Sequence, residues 1–176
     1  VISITDGQIF LETELFHQGI MPAVNPGISV SRVGGNAQTK AMKKVSGRLK
    51  LIYSQYRELQ AFAQFGSDLD ADTKERLEQG KRIVEVLKQG RSEPVPVEKQ
   101  VAILYGVTQG ILSRVETEQI RAYEKGLYTF LDTDAQGHHV MEEIRIGKDL
   151  PEETEEKLRR LLERYTDIFL ETAKEM

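Results

Sequence analysis

Apolar side chains along most of this chain recur at the spacing of three and four residues that is typical of an amphipathic helix. The pattern starts at Asn36, directly after two consecutive glycines. Its first stripe consists of Met42, Val45, Leu49, Ile52, Tyr56, Leu59 and Ala63. The spacing predicts one long helix that begins at Asn36.

Capping residues and prolines divide the next part of the chain into further helices. The stretch Ser67 to Asp70 offers an N-cap for a second helix, and the prolines within Gln89 to Pro96 predict a non-helical connector. A third helix is predicted from Val97 through Ile111. The apolar positions of the second and third helices are Leu77, Ile83, Val84, Leu87, Val101 and Leu104.

Three more apolar stripes complete the predicted helical part. They comprise a fourth helix with Ile120, Tyr123, Leu127 and Phe130, a shorter fifth with Val140, Ile144 and Ile146, and a last one with Leu158, Leu161, Leu162, Tyr165, Ile168 and Phe169. Pro151 opens the last helix, because proline is tolerated in a first turn. Short loops join these elements, so residues 36–176 are predicted to form a helical bundle.

Residues 1–35 have a different pattern. Two short β-type runs, Val1 to Thr5 and Ile28 to Ser31, enclose the turn-forming pair Asp6-Gly7 and a helical stretch around Glu14 to His17. Two strands do not form a stable sheet alone, so we expect this segment to be the end of a larger sheet. The predicted fold class is therefore mainly α, with a short α/β remnant before the bundle.

Composition restricts the functions that the chain can have. With 176 residues, 39% of them hydrophobic and 30% charged, it can form one core, or one domain plus a fragment. A net charge of -4 gives no overall attraction to nucleic acid or an anionic membrane, and the lack of cysteine excludes disulfides and thiolate chemistry. No apolar run approaches the ~20 residues that span a bilayer. The start at Val1, without methionine, is interpreted as a cut through a larger protein.

Arg32 is the first candidate for chemistry, because it ends a β-type run just before Gly34-Gly35. From the residues alone, it is either a guanidinium that reaches a nucleotide phosphate on a neighbouring subunit or, more commonly, a strand-end arginine in a surface salt bridge. The stretch Gly34 to Lys40 imitates a phosphate loop but lacks a glycine before the lysine, and Ala41 replaces the required Ser or Thr. We therefore expect no ATP binding by the chain itself.

Two other clusters invite functional interpretations. Between Leu15 and Arg57 the chain carries seven cations and no acid. In a nucleic-acid interface, stacking aromatics alternate with the cations. The cations of this block are not interleaved with aromatics, so a solvated helix surface or a flank facing another subunit is favoured. His138-His139 point to different helix faces and have no evident third ligand, so no metal site is predicted.

Several stretches resemble the α subunit of F-type rotary ATP synthases. They are Val1 to Glu12, Gly27 to Gly35, Gln38 to Val45, Gln55 to Leu59 and Ala61 to Asp70. The resemblance runs from residue 1 to about Phe169 and corresponds to the C-terminal third of that subunit. It implies that residues 1–35 end a parallel nucleotide-binding sheet, whose phosphate loop precedes Val1, and that residues 36–176 are a separate helical domain.

The resemblance also implies roles for individual residues. Arg32 falls on the position of an arginine finger that acts in trans, and Ser3 and Gly7 fall in the region that binds the phosphate end of the same catalytic site. Gln89 and Pro22 match positions that contact the adenine of a non-catalytic nucleotide. The sequence therefore offers one site at the end of a strand and another around the connector.

The partners that the resemblance implies belong to an intact complex. There the parent alternates with β subunits around a central γ subunit, binds Mg-ATP or ADP, and supports ATP synthesis coupled to proton or sodium transport at the cytoplasmic face of the cell membrane. For the chain alone we expect no cofactor, nucleic acid or membrane insertion, and a monomer or weak self-association through residues 1–35. Met21 and Arg91 replace a common arginine and glutamine, which suits a divergent branch. The alternative is a helical protein-interaction module without a nucleotide role.

Overall fold

The computed structural model describes residues 4–63 and 69–174. Within these residues the long helices are α3 (Lys40–Ala63), α4 (Ala71–Leu87), α5 (Val97–Thr108), α6 (Ile120–Thr133), α7 (Ala135–Gly147) and α8 (Glu152–Lys174), preceded by the short α1 (Thr13–His17) and α2 (Gly34–Ala37). The prediction of a mainly α fold is confirmed. In the described part of the chain, no helix combines the length and the apolar character that crossing a membrane requires.

The first long helix begins at Lys40, later than the predicted start at Asn36. Gln38 is extended, with φ -65° and ψ 143°, and it separates α2 from α3. The Thr39 hydroxyl then accepts a hydrogen bond from the N–H of Met42 at 3.2 Å, as an N-cap does. The prediction of a continuous helix from Asn36 is wrong here, because an extended residue interrupts the ladder of backbone hydrogen bonds.

Aspartate side chains begin two of the helices. The carboxylate of Asp70 accepts the N–H of Thr73 at 2.8 Å at the start of α4, and Asp134 accepts two N–H groups at the start of α7. Each bond satisfies a donor that has no partner within its helix. The predicted cap of the second helix is thus confirmed at Asp70, whereas Ser67 and Asp68 lie outside the described residues.

The third helix ends before its predicted last position. Gly110 has a φ of 77°, and a short 3-10 helix, Ile111–Arg114, follows it. A left-handed residue stops an α-helix, and glycine adopts that conformation at little cost. The continuation through Ile111 is therefore wrong, and the neighbouring Leu112 is the residue of this segment that is fully buried.

The hydrophobic core surrounds α5, whose side chains are buried from Val101 to Thr108 apart from the half-buried Leu104. Amphipathic helices on several sides contribute their apolar stripes, including those of α3, α4, α6, α7 and α8. The predicted stripes supply most of this core. Ile146, Ile168 and Leu87 are exceptions, since 71%, 45% and 37% of these residues are exposed.

An aromatic cluster joins α6 to α8 inside the core. The ring of Tyr123 packs edge-on against Tyr165 and Phe169, with ring centroids 5.0 and 5.3 Å apart. The buried hydroxyl of Tyr123 shares a hydrogen bond of 2.9 Å with Thr166, and the Tyr165 hydroxyl donates to the carbonyl of Tyr123 at 3.2 Å. Both phenols are therefore buried without losing their hydrogen bonds, as a stable core requires.

The leading segment, residues 1–35, contains two very short strands in its described part. Strand β1 (Gly7–Gln8) pairs antiparallel with β2 (Val30–Ser31), because the chain reverses direction through α1 between them. The second predicted β-type run is confirmed in its last two residues, whereas Ile28 lies in a turn. The antiparallel pairing of β1 with β2 therefore differs from the parallel pairing that we expected for the larger sheet.

The first predicted β-type run is displaced along the chain. Ile4 lies in a turn, and residues 1–3 lie outside the described part. Strand pairing begins instead at Gly7, which the sequence predicts to be the second residue of a turn. Glycine allows the two backbones to approach closely. A Cβ at Gly7 would lie 1.8 Å from the carbonyl oxygen of Val30.

Close packing between α3 and α4 provides a test of the fold. A Cβ added to Gly80 would lie 2.1 Å from the ring of Tyr56, close to the base of that side chain. We expect Gly80→Ala to lower the free energy of unfolding by ~1–3 kcal/mol, because the two helices would have to separate. Urea unfolding followed by circular dichroism measures this change.

Gly47→Ala is the matched control, since Gly47 lies in α3 and a Cβ there meets open space. Alanine at an exposed helical position should raise the free energy of unfolding by ~0.5–1 kcal/mol. Equal stabilities for Gly80→Ala and the unchanged chain would contradict the close approach of α3 and α4.

Candidate functional site

Arg32 follows the last residue of β2, and Asp6 holds the backbone around it. The N–H of Arg32 donates to the carbonyl of Asp6 at 3.0 Å, and the N–H of Val33 donates to Oδ1 of the same residue at 2.7 Å. The hydroxyl of Ser31 donates to Oδ2. Asp6 thus fixes the chain on both sides of Arg32, and we call these four residues the Arg32 turn.

The Arg32 side chain lies on the surface against backbone carbonyls. Its Nε donates to the carbonyl of Asp6 at 3.0 Å, and its Nη2 contacts the carbonyl of Thr5. The residue is exposed. The groups that accept hydrogen bonds from the guanidinium are neutral carbonyls, and the Asp6 carboxylate interacts with its charge from nearby. Because the side chain is exposed, it can still bind an anion such as a phosphate.

The electrostatics of the Arg32 turn favour an ionised Asp6. The hydrogen bond from Ser31, followed by that from the N–H of Val33 and the charge of Arg32, lowers the pKa of Asp6 below its usual value. Sequence reasoning treated Asp6 only as a turn former and missed this role. No local signal in the sequence marks this role, because Ser31 and Val33, which donate to the carboxylate, lie 25 and 27 residues away from Asp6.

Of the two other residues assigned to the phosphate end, one lies beside the Arg32 turn. Gly7 pairs with Ser31, the residue before Arg32. The close approach of Gly7 to Val30 explains a glycine at this position by packing alone. Ser3 lies outside the described residues.

The structure brings Pro22 close to Gln89. The N–H of Gln89 donates to the carbonyl of Met21 at 2.9 Å, so the loop that contains Pro22 lies directly against the connector. The side chain of Gln89 donates through Nε2 to the carbonyl of Glu93 at 2.8 Å, across a turn in which Ser92 has a φ of 62°. Gln89 and Pro22 are both exposed. The two residues assigned to adenine contacts therefore share one surface.

The remaining candidates have partners within the fold. His139 lies 3.0 Å from Glu143, one helical turn away in α7, and the described residues contain no group of three or more potential metal ligands. In the basic block, Nζ of Lys44 donates to the carbonyl of Leu150 at 2.9 Å and pairs with Glu155. Part of that block therefore joins α3 to α8 rather than forming a separate charged surface.

Comparison with known proteins connects both surfaces to one family. Residues 38–165 match the family model described as ATP synthase alpha/beta chain, C terminal domain. The chain belongs to this family. Residues 1–31, which include Gly7, Pro22 and Ser31, match the nucleotide-binding domain of the ATP synthase alpha/beta family. Asp6 and Ser31 of the Arg32 turn therefore lie within the part of the chain that matches a nucleotide-binding domain, and Arg32 directly follows that part.

The similarity extends to a curated alpha subunit. The chain is 55% identical over 175 residues to ATP synthase subunit alpha of Clostridium botulinum (strain Eklund 17B / Type B). This match covers 98% of the chain but only 34% of the relative, so the chain spans about a third of that protein's length. The family and the alpha-subunit resemblance derived from the sequence are confirmed.

Titration of Asp6 tests the geometry of the Arg32 turn. The pKa of Asp6 is lowered in the folded chain. The hydrogen bonds to its carboxylate should therefore be fully formed above the usual pKa of an aspartate, and they should be lost only as the pH falls through the lower pKa of the folded chain. The amide shift of Val33 in NMR spectra should report this transition, since its N–H donates to the carboxylate. Asp6→Asn should abolish the transition. An inflection at the ordinary aspartate pKa would contradict the proposed hydrogen bonds.

Proposed function

We propose that the chain is the C-terminal portion of the regulatory, non-catalytic α subunit of an F-type ATP synthase and that Arg32 is an arginine finger acting in trans. The supporting observation is an exposed guanidinium at a strand end, on a backbone that Asp6 holds on both sides. A finger acts by placing a planar cation against charge that develops during phosphoryl transfer. It must therefore be accessible and fixed at its base.

The phosphate of the nucleotide would be held on a neighbouring β subunit. Gly7 lies beside the Arg32 turn, which supports its assignment to the phosphate end of that site, and Ser3 is assigned there by resemblance alone. On this proposal, Mg-ATP or ADP binds in the intact complex and not in the present chain, whose sequence contains no GxxxxGK[ST] loop.

A second part of the proposal concerns the non-catalytic nucleotide. Gln89 and Pro22 would contact its adenine, and the hydrogen bond between Gln89 and Met21 supports this by placing them on one surface. The carboxamide of Gln89 uses Nε2 to bond Glu93 and so presents Oε1 as an acceptor. Oε1 could accept a hydrogen from the exocyclic amino group of adenine.

The proposed assembly follows from the family. In it, α subunits alternate with β subunits around a γ subunit, as a peripheral complex at the cytoplasmic face of the cell membrane, and ATP turnover is coupled to proton or sodium transport. Residues 1–35 would complete the nucleotide-binding domain and residues 36–176 would form the helical domain. The many exposed apolar side chains of the leading segment, including Ile4, Ile9 and Leu11, support its belonging to a larger domain.

Arg32→Lys in the assembled complex tests the finger. Lysine keeps the charge but loses the planar fork, so ATP turnover should fall by ~10³ or more while nucleotide affinity changes little. Arg114→Lys is the control, since Arg114 is an exposed arginine that pairs with Asp167 at 2.7 Å. Near-normal steady-state hydrolysis by the Arg32→Lys complex would overturn the role of Arg32.

Calorimetry on the isolated 176-residue chain tests where the nucleotide binds. Without a phosphate loop, the chain should bind Mg-ATP no more tightly than ~1 mM, and it should not hydrolyse it. A full-length alpha subunit measured in the same buffer is the positive control. Micromolar binding by the isolated chain would place a nucleotide site within these residues and contradict the proposal.

A further inference from the structure

The connector, residues 88–96, is held through its backbone by three other segments. The Met21 carbonyl accepts the N–H of Gln89 at 2.9 Å, and Nε2 of Gln100 in α5 donates to the carbonyl of Val95 at 2.6 Å. From α6, Nη1 of Arg121 donates to the carbonyl of Lys88 at 2.6 Å. Polar side chains thus satisfy connector carbonyls that no regular secondary structure satisfies.

Two of these bonds act on the same peptide group. The carbonyl of Lys88 and the N–H of Gln89 belong to one planar unit, with Arg121 bound at its oxygen and Met21 at its nitrogen. Fixing both ends of a peptide plane fixes the position of the next Cα atom, from which the side chain leaves the backbone. That side chain is the carboxamide of Gln89.

Arg121 is itself held by a nearly buried carboxylate. Oε2 of Glu124 lies 3.4 Å from Nη1 of Arg121, and the Tyr128 hydroxyl donates to Oε1 at 2.7 Å. Burial raises the pKa of Glu124, whereas the bonds from Tyr128 and Arg121 act in the opposite direction. Only 9% of Glu124 is exposed. A carboxylate in this position is costly unless it has partners, and Tyr128 and the partly exposed Arg121 provide them.

Two of the three α6 side chains, Glu124 and Tyr128, line a small cavity beside the connector. The cavity has a volume of about 140 Å³ and is lined by residues of α4, α5, α6 and the connector, including Gln89, Val95, Ile103, Glu124 and Tyr128. Gln89 therefore lies at the rim of the same space into which Glu124 and Tyr128 project. Other charged pairs differ from this arrangement, since Arg160 and Glu156, for example, lie on the same exposed side of α8.

We infer that Arg121, which pairs with Glu124, is a positioning residue that orients Gln89 for recognition of the adenine amino group. This inference rests on the proposed adenine contact of Gln89. It adds Arg121 of α6 to the residues that serve this contact. Arg121 would not touch the nucleotide and would act through the Lys88–Gln89 peptide group. Adenine specificity then depends on α6 as well as on the connector.

The test compares binding of Mg-ATP with binding of Mg-ITP by a full-length alpha subunit that carries this chain. Hypoxanthine carries a carbonyl oxygen in place of the amino group of adenine. The ratio of the two dissociation constants therefore reports recognition at this position, where the hydrogen bond to Oε1 of Gln89 is proposed. Gln89→Ala should reduce the preference for ATP by about threefold to tenfold, the value of one hydrogen bond. The ratio is internal to each variant, so a partly unfolded sample lowers both affinities alike.

Arg121→Gln should reduce the same preference to a similar extent, and Arg121→Lys should reduce it less, because lysine retains one donor for the Lys88 carbonyl. The double variant Gln89→Ala with Arg121→Gln should show no further loss, since both changes remove one contact. Arg160→Gln is the matched control and should leave the preference unchanged.

The outcomes separate the two proposals. If Gln89→Ala lowers the preference and Arg121→Gln does not, or if the two effects add, the positioning role is wrong and the adenine contact stands. If Gln89→Ala leaves the preference unchanged, the adenine contact is wrong and the role of Arg121 falls with it. The inference is supported if each single variant lowers the preference for ATP and the double variant lowers it no further.

Discussion

Burial of α5 on nearly all of its sides is the constraint on which the helical part of this chain depends. Because α5 is buried from Val101 to Thr108 apart from Leu104, other helices must surround it, and α3, α4, α7 and α8 pack against it. This arrangement brings the end of α4 and the middle of α6 to the same side of α5. The connector, which leaves α4, is therefore placed within reach of Arg121.

The Arg32 turn and the connector are held by the same kind of interaction. In each, a side chain distant in sequence binds backbone groups next to the candidate residue: Asp6 beside Arg32, and Arg121 beside Gln89. Such segments bury little apolar surface, so hydrogen bonds to the backbone define their shape. The side chains of Arg32 and Gln89 stay exposed as a result, which a ligand on another subunit or in solution requires.

Charged contacts connect helices that the core already brings together. Lys44 of α3 contacts the carbonyl of Leu150 and the carboxylate of Glu155, and the Tyr105 hydroxyl of α5 donates to the same carboxylate at 3.2 Å. Exposed ion pairs contribute little stability by themselves. Their value here lies in fixing the register of α3, α5 and α8 relative to one another, and Lys44 shows that part of the basic block serves this packing.

Helical periodicity by itself determined the long helices and most of the core, because the spacing of apolar residues along a helix is a local property. It failed at Gln38 and Ile111, where a single backbone conformation ends or delays a helix. Family resemblance indicated Arg32 and Gln89 as candidates. Only the tertiary structure decided what holds them. Asp6 contacts Arg32, which is 26 residues away, and Arg121 contacts the carbonyl of Lys88, which is 33 residues away. Contacts across such separations depend on how whole elements pack, and no local pattern in the sequence encodes them.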